Sequence, residues 1–237
     1  MKDRFSFKAF TINQSRSAMK VGTDGVLLGA WVSLDETLES ILDIGAGTGL
    51  IALLLAQRSS ADTIDAIEID EDAYEECVEN FEASSWGDRL FCYHAALDEF
   101  VEEWDDSYDL IVCNPPFYAE DVSSGNTSRD TARQNAALPF DELLKGVDSL
   151  LSKDGNFATI IPFKEEVNFL TLALSLGLYP QRITRVKGNP KVDVKRSLIE
   201  FGYTQIDCDI NELTIELERH QYTAEYKRLT QDFYLKM

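Results

Sequence analysis

Residues 41–44, Ile-Leu-Asp-Ile, run directly into Gly45-Ala46-Gly47-Thr48-Gly49, and an apolar stretch at 50–56 follows without a break. A short β-rich strand, a glycine turn and a helix in immediate succession are hard to place in an all-helical or all-β chain. They are the building unit of α/β folds, in which a buried strand is followed by a helix that packs back on the sheet. The glycines explain the turn: without Cβ atoms the backbone reverses sharply and lets a ligand approach it closely. Asp43 stands near the end of this strand. Glu68 closes the next one, 25 residues further on, where its carboxylate can accept hydrogen bonds from two ribose hydroxyls.

The rest of the chain keeps the same rhythm. Strands are expected at 63–69, 90–93, 108–113 and 156–161, with helices at 72–83, 140–151 and 165–176. Asp24 is expected to cap a short helix over 25–32, and the alternating Phe5, Phe7, Phe10 and Ile12 suggest a strand or hairpin arm. Further strands at 178–186, 197–203 and 212–217 are placed to finish the same sheet through antiparallel connections. The expected architecture is α/β and doubly wound: a mostly parallel sheet with helices on both faces, and ligands beyond the carboxyl ends of its strands. No repeat or low-complexity segment interrupts it. Residues 119–135, rich in Ser, Thr, Asp and Asn, form the one long loop candidate. The 237 residues suffice for a single domain, with residues 1–23 as an N-terminal appendage.

Composition narrows the function. No apolar run is long enough to span a bilayer and no signal-peptide core opens the chain, so a cytoplasmic location with no membrane partner is expected. Cys77, Cys92, Cys113 and Cys208 show no CxxC spacing, and His94 and His220 are the only histidines. That is poor material for a metal site, and free thiols are expected. A net charge of -20 disfavours general nucleic-acid binding. The bases are nevertheless concentrated. Lys2, Arg4, Lys8, Arg16 and Lys20 fall in the first twenty residues, and Arg182, Arg185, Lys187, Lys191, Lys195 and Arg196 fall in 181–196. Either these are two ordinary solvated segments, or they make a localised positive face.

Three readings of the glycine turn compete. A turn without a ligand is possible, and so is a nicotinamide or flavin dinucleotide site, which usually sets its diphosphate over a helix N-terminus. Asp43, an anion at the end of the strand, suits a cationic amino-acid end better, which favours a methyl donor. The second chemical segment is Asn114-Pro115-Pro116-Phe117, immediately after the strand at 108–113. The two prolines stiffen the strand exit. The Asn114 amide oxygen and the Pro115 carbonyl can then each accept a hydrogen bond from one exocyclic amino group, exposing its lone pair, while Phe117 stacks on the ring that bears it. Such positioning matters because an aromatic amine is a poor nucleophile.

These segments, together with residues 5–8, Met19-Lys20-Val21-Gly22-Thr23-Asp24-Gly25, the run at 27–31 and the tail YTAEYKRLTQDFYL at 222–235, resemble the bacterial tRNA1(Val) adenine-37 N6-methyltransferase family. That family lies within the class I methyltransferases, whose fold is Rossmann-like, and the resemblance covers nearly the whole chain. It implies S-adenosylmethionine as cofactor and tRNA, a valine tRNA anticodon loop, as partner, with no metal and no obligate protein partner. By position it implies that Asp43, Gly45 and Gly47 line the methionine part of the donor and that Glu68 holds the ribose. Lys20, Thr23 and Asp24 would enclose the cofactor side, and Asn114, Pro115 and Phe117 would position the target adenine beside it. The basic segments would contact phosphates. Two positions depart from the family pattern: Phe117 where Tyr is common, and Leu97, with Asp98 next to it, where an acidic residue often meets the donor adenine. Asn-Pro-Pro-aromatic chemistry equally serves another RNA or DNA adenine or a protein glutamine, and a noncatalytic RNA-binding module is the remaining alternative.

Overall fold

A computed structural model describes residues 3–116 and 138–237; Phe117 and the whole of the long loop candidate lie outside them. The central sheet is built from β3 (Ser40–Ile44), β4 (Thr63–Glu68), β5 (Leu90–His94), β6 (Tyr108–Cys113), β7 (Leu151–Pro162), β8 (Tyr179–Lys187), β9 (Arg196–Gly202) and β10 (Asp209–Thr214). Its order is β10-β8-β9-β7-β6-β3-β4-β5. β9 alone runs against its neighbours β7 and β8, while every other pair in the sheet is parallel. The chain proceeds from β3 to β4 and β5 on one side, then returns through β6 to the other. The switch therefore falls between β3 and β6, where open α/β sheets leave a crevice at their carboxyl ends.

Both faces of the sheet are covered, which is why its strands carry almost unbroken apolar sequence. On one face, Ile41, Ile64, Ala66, Leu110 and Val112 pack under α1 (Thr23–Trp31), α2 (Leu50–Arg58) and α3 (Glu71–Glu82). On the other, Leu42, Ile44, Ile67, Ile111 and Cys113 pack under α4 (Leu97–Glu103), α5 (Phe140–Leu150) and α6 (Glu166–Ser175). Period-two alternation thus divides each strand between two cores.

The N-terminal residues form a hairpin of β1 (Arg4–Ser6) and β2 (Thr11–Asn13). It docks on the end of the chain: Phe7 bridges to Tyr234, and Lys8 N–H donates to the Phe233 carbonyl at 2.8 Å. The tail itself contains β11 (Glu216–Glu218), β12 (Gln221–Tyr222) and α7 (Ala224–Thr230), which Thr223 caps through a bond from Tyr226 N–H. Head and tail are therefore one aromatic cluster, with Phe7 in tilted contact with Phe5, Phe10 and Tyr234.

Several expected boundaries move. Gly22, not Asp24, is the N-cap of α1; Asp24 sits in its first turn without a capping bond. Asp70 caps α3 by accepting from Ala73 N–H at 2.9 Å, so that helix starts a residue earlier than expected. α4 was not anticipated, because its seven residues are too few to show a helical period. β7 begins at Leu151 rather than 156, because Leu151 pairs with Tyr108 and Asn156 with Leu110, and the residues between are taken up in a register shift.

Candidate active site

The carboxyl ends of β3, β4, β5 and β6 open into one cavity of about 610 Å³, within the range of small-molecule sites. Each strand contributes the residues that follow it: Gly45 and Gly47 after β3, Glu68 to Asp70 at the end of β4, Ala95 to Asp98 after β5, and Asn114 with Pro116 after β6. The far wall comes from α5 through Glu142, Lys145 and Gly146, and the rim from Ser17, Ala18 and Met19.

The glycine turn has the conformation that only glycine adopts at ease. Gly45 and Gly47 have φ of 70° and 56°, and no atom lies within 4 Å of where a Cβ would stand on either. The positive φ therefore favours glycine here, and the open space beside the backbone leaves room for a ligand. Gly49 differs, because a Cβ there would meet Phe81 at 2.5 Å and Cys77 at 2.8 Å. Glu68 locks the turn across the strands. Its Oε2 accepts from Gly47 N–H at 2.8 Å and its Oε1 from Asp70 N–H at 2.9 Å. Burial raises the Glu68 pKa and these two bonds oppose the shift. Each oxygen retains a lone pair for a further donor.

Asp43 is completely buried. Its Oδ2 accepts from Ala52 N–H at 3.1 Å, near the start of α2, while its Oδ1 has no partner among the described residues. Burial pushes its pKa up to about 7, against the pull of the Ala52 bond and with a small addition from Glu68. One strand over, the Asn114 Oδ1 is likewise buried without a partner. An orphaned carboxylate oxygen and an orphaned amide oxygen on neighbouring strands form an acceptor set, and buried acceptors in that state are costly unless a donor arrives. With Glu68 and the open glycine backbone, this set fits a ligand that carries an ammonium group and a diol.

The rim is held by α3. Glu76 is fully buried and accepts from Ser15 N–H at 2.6 Å, Arg16 N–H at 3.0 Å and Ser17 N–H at 2.9 Å, with the hydroxyls of Ser15 and Ser17 adding two more bonds. Burial pushes the Glu76 pKa up, but the bonds from Ser17, Arg16 and Ser15 outweigh it and hold it at about 2. One turn on, Asn80 donates to the carbonyls of Asn13 and Thr48 and accepts from Asn13 N–H. Sequence reading passed over Glu76 and Asn80, since one more Glu on an acidic helix gives no local sign that it is buried.

The structure assembles Gly45, Gly47, Glu68 and Asn114 around the cavity, with Asp43 beneath it. Lys20, Thr23 and Asp24 do not line it. Lys20 donates to the Gln14 carbonyl, and Asp24 binds Arg196 at 2.8 Å, tying α1 to β9. Pro115 is buried at the exit of β6. Leu97 lines the cavity and packs on Gly146, where a Cβ would lie 2.6 Å from its side chain, and Asp98 lines the cavity beside it.

The two basic segments also look different in three dimensions. Arg182 binds Glu200 at 3.1 Å and lies 3.8 Å from the Trp31 ring centroid, Arg185 binds the buried Glu166 at 2.7 Å, and Lys187 binds Glu212 at 2.7 Å. Arg16 is paired with Glu75 and Glu79. Arg16 in the first segment, and Arg182, Arg185, Lys187 and Arg196 in the second, are therefore in ion pairs within the fold. Lys191 and Lys195 are exposed.

A mostly parallel sheet with one reversed strand, and a glycine turn locked by the acid of the next strand, define a class I methyltransferase fold. A family model described as Methyltransferase small domain matches residues 17–162. A Flavobacterium johnsoniae protein named tRNA1(Val) (adenine(37)-N6)-methyltransferase is 60% identical over 234 residues, covering 98% of this chain and 100% of its own. A Bacteroides fragilis protein of the same name is 45% identical over 239 residues, covering 98% of each. Among solved structures, an Agrobacterium tumefaciens protein described as a predicted O-methyltransferase has a TM-score of 0.68 at 17% identity, covering 89% of this chain and 96% of that one. This last likeness is one of fold. The chain belongs to the tRNA1(Val) (adenine(37)-N6)-methyltransferase family.

Proposed function

We propose that this protein transfers a methyl group from S-adenosylmethionine to N6 of adenosine 37 in the anticodon loop of tRNA1(Val). The near full-length relatives carry that name. The observation that carries the chemistry is the buried Asn114 Oδ1 at the exit of β6, on the cavity wall, which has no partner among the described residues. When bound, S-adenosylmethionine supplies an electrophilic methyl group on a sulfonium. In this reading Asp43 and the glycine turn receive its methionine end and Glu68 its ribose hydroxyls, while Leu97 and Asp98 border the adenine.

Asn114 Oδ1 and the Pro115 carbonyl accept the two hydrogens of the target amine, which directs the nitrogen lone pair at the methyl group. Phe117, by its place in the motif, stacks on the adenine. A new N–C bond forms as the sulfur–methyl bond breaks, and one amine proton leaves to water, so no strong base is required of the motif. An anticodon loop offers an adenine that can be splayed out without melting a duplex. The test is methyl transfer to unmodified tRNA1(Val), with the product nucleotide mapped by mass spectrometry. Methyl groups on adenosine 37 are expected. Incorporation into another nucleotide, or into a protein glutamine instead, would overturn the assignment of substrate.

A further inference from the structure

β7 is the parallel neighbour of β6, with Cys113 level with Thr159. By this register Pro162, the last residue of β7, falls level with Pro116, so Phe163 emerges at the same carboxyl end of the sheet as Asn114 and Pro116, on the neighbouring strand. Phe163 is 38% exposed there. It is anchored from behind. Its N–H donates to the Lys195 carbonyl at 3.1 Å, and the Arg185 guanidinium lies 5.5 Å from its ring centroid. Arg185 is itself fixed by Glu166, which also accepts from Ser197 Oγ. The ring therefore rests on a rigid base while part of it remains open to solvent.

The surroundings of the ring are basic in a chain of net charge -20. Lys164, next to it in the chain, is exposed and lies 3.8 Å from Glu165; Lys191 and Lys195 are exposed on the segment between β8 and β9, whose Lys195 carbonyl receives the Phe163 N–H, with Asp193 between them. The Asp24–Arg196 ion pair holds the start of β9, and with it the end of the 188–195 segment, against the first turn of α1. That same turn places Gly25 beside Asn114, since a Cβ on Gly25 would lie 4.0 Å from Asn114 Nδ2. The aromatic ring, the lysines and the amine-binding amide thus share one edge of the molecule.

Taking up one base from an RNA loop breaks its stacking with the next, and an aromatic side chain can replace the lost partner. We propose that Phe163 is a second base platform, stacking on the nucleotide adjacent to the target adenosine while Lys191 and Lys195 hold the flanking phosphates. The proposal rests on the tRNA methyltransferase reading above and adds the residues that grip the substrate beside the reacting base.

Full-length wild type, Phe163→Ala, Phe163→Tyr and Lys191→Ala/Lys195→Ala are compared in steady-state methylation of unmodified tRNA1(Val), with transcripts that carry an abasic site at position 36 or 38. Phe163→Ala is expected to raise KM for tRNA roughly tenfold, at the lower end of base–aromatic stacking, leaving KM for the methyl donor unchanged. Phe163→Tyr should restore it. An abasic site at one of the two positions should remove most of the difference between wild type and Phe163→Ala, which a merely structural phenylalanine would not do. The double lysine variant should reduce the slope of log affinity against log salt by about one to two. An unchanged KM for tRNA in folded Phe163→Ala, or effects additive with both abasic sites, would overturn the platform. If wild type methylates no tRNA, it is the assigned function that fails.

Discussion

Replacing Asp43 with Asn separates the cost of this residue to the fold from its use to the site. Asp43 is fully buried and its pKa is pushed up to about 7, from an ordinary 3.8. Below the ordinary value the carboxyl is neutral in folded and unfolded chains alike. Between 3.8 and about 7 the unfolded chain ionises and the folded one does not, so stability falls as pH rises; above about 7 the full penalty applies. At 1.36 kcal/mol per unit, that penalty is about 4 kcal/mol. In Asp43→Asn the amide oxygen can keep the Ala52 N–H bond, while the amide nitrogen takes the place of the orphaned Oδ1 and costs about 1–3 kcal/mol as an unsatisfied buried donor. The ligand-free variant should therefore be more stable than wild type at pH 8 by about 1–3 kcal/mol. The advantage should shrink by about 1 kcal/mol at pH 6, where wild type has not yet met the whole penalty. Urea denaturation at the two pH values measures it. Affinity for S-adenosylmethionine should move the other way, weakening by about 1.5–3 kcal/mol through loss of a charge-assisted contact. Wild-type affinity should climb by up to tenfold per unit towards pH 7, because ligand binding must expel the Asp43 proton, and the variant should show a flat profile. A variant that is no more stable and binds the donor as wild type does at both pH values would refute the argument.

Asn114→Ala should lower kcat by at least a hundredfold with little change in donor affinity, because the contact it loses acts on the transferring amine; normal single turnover in the folded variant would contradict this. Phe117→Tyr should stay active, and Phe117→Ala should lose about 1–3 kcal/mol of stacking, read as kcat/KM for tRNA. Glu76→Gln should cost about 3 kcal/mol near neutral pH, since the Glu76 pKa is lowered from 4.5 to about 2, and weaken donor binding by loosening the Ser17–Met19 rim. Wild type should lose this contribution as pH falls below 4.5 toward the folded value of about 2, so the two proteins should converge in acid denaturation. Arg182→Ala should cost about 1.5–3 kcal/mol by removing the ion partner of Glu200, which keeps its bonds from Ser33, yet leave tRNA affinity within twofold, whereas a fall in RNA binding at unchanged stability would return this arginine to the RNA face.

The parts of this protein that are local in the chain were readable before any coordinates. Ile41 to Gly49 specify strand, turn and helix because neighbours determine backbone conformation there, and Asn114-Pro115-Pro116 announces a stiff strand exit for the same reason. Apolar strands without alternation implied helices on both faces, and two buried cores lie there. Charge is not legible in this way, because its meaning depends on what comes near it. Arg182, Arg185 and Lys187 look like a basic segment in one dimension, but β8 aligns them with Glu200, Glu166 and Glu212, which are distant in sequence. Asp24 suggested a cap, then a cofactor contact, and folding gave it Arg196, 172 positions away. Glu76 and Asn80 became the clasp of the N-terminal rim only because α3 turns them toward residues 13–17, and the exposure of Phe163 follows from where β7 ends beside β6. Backbone preference acts over a few residues and is written along the chain, whereas desolvation and pairing act through space and depend on which strands the fold makes neighbours.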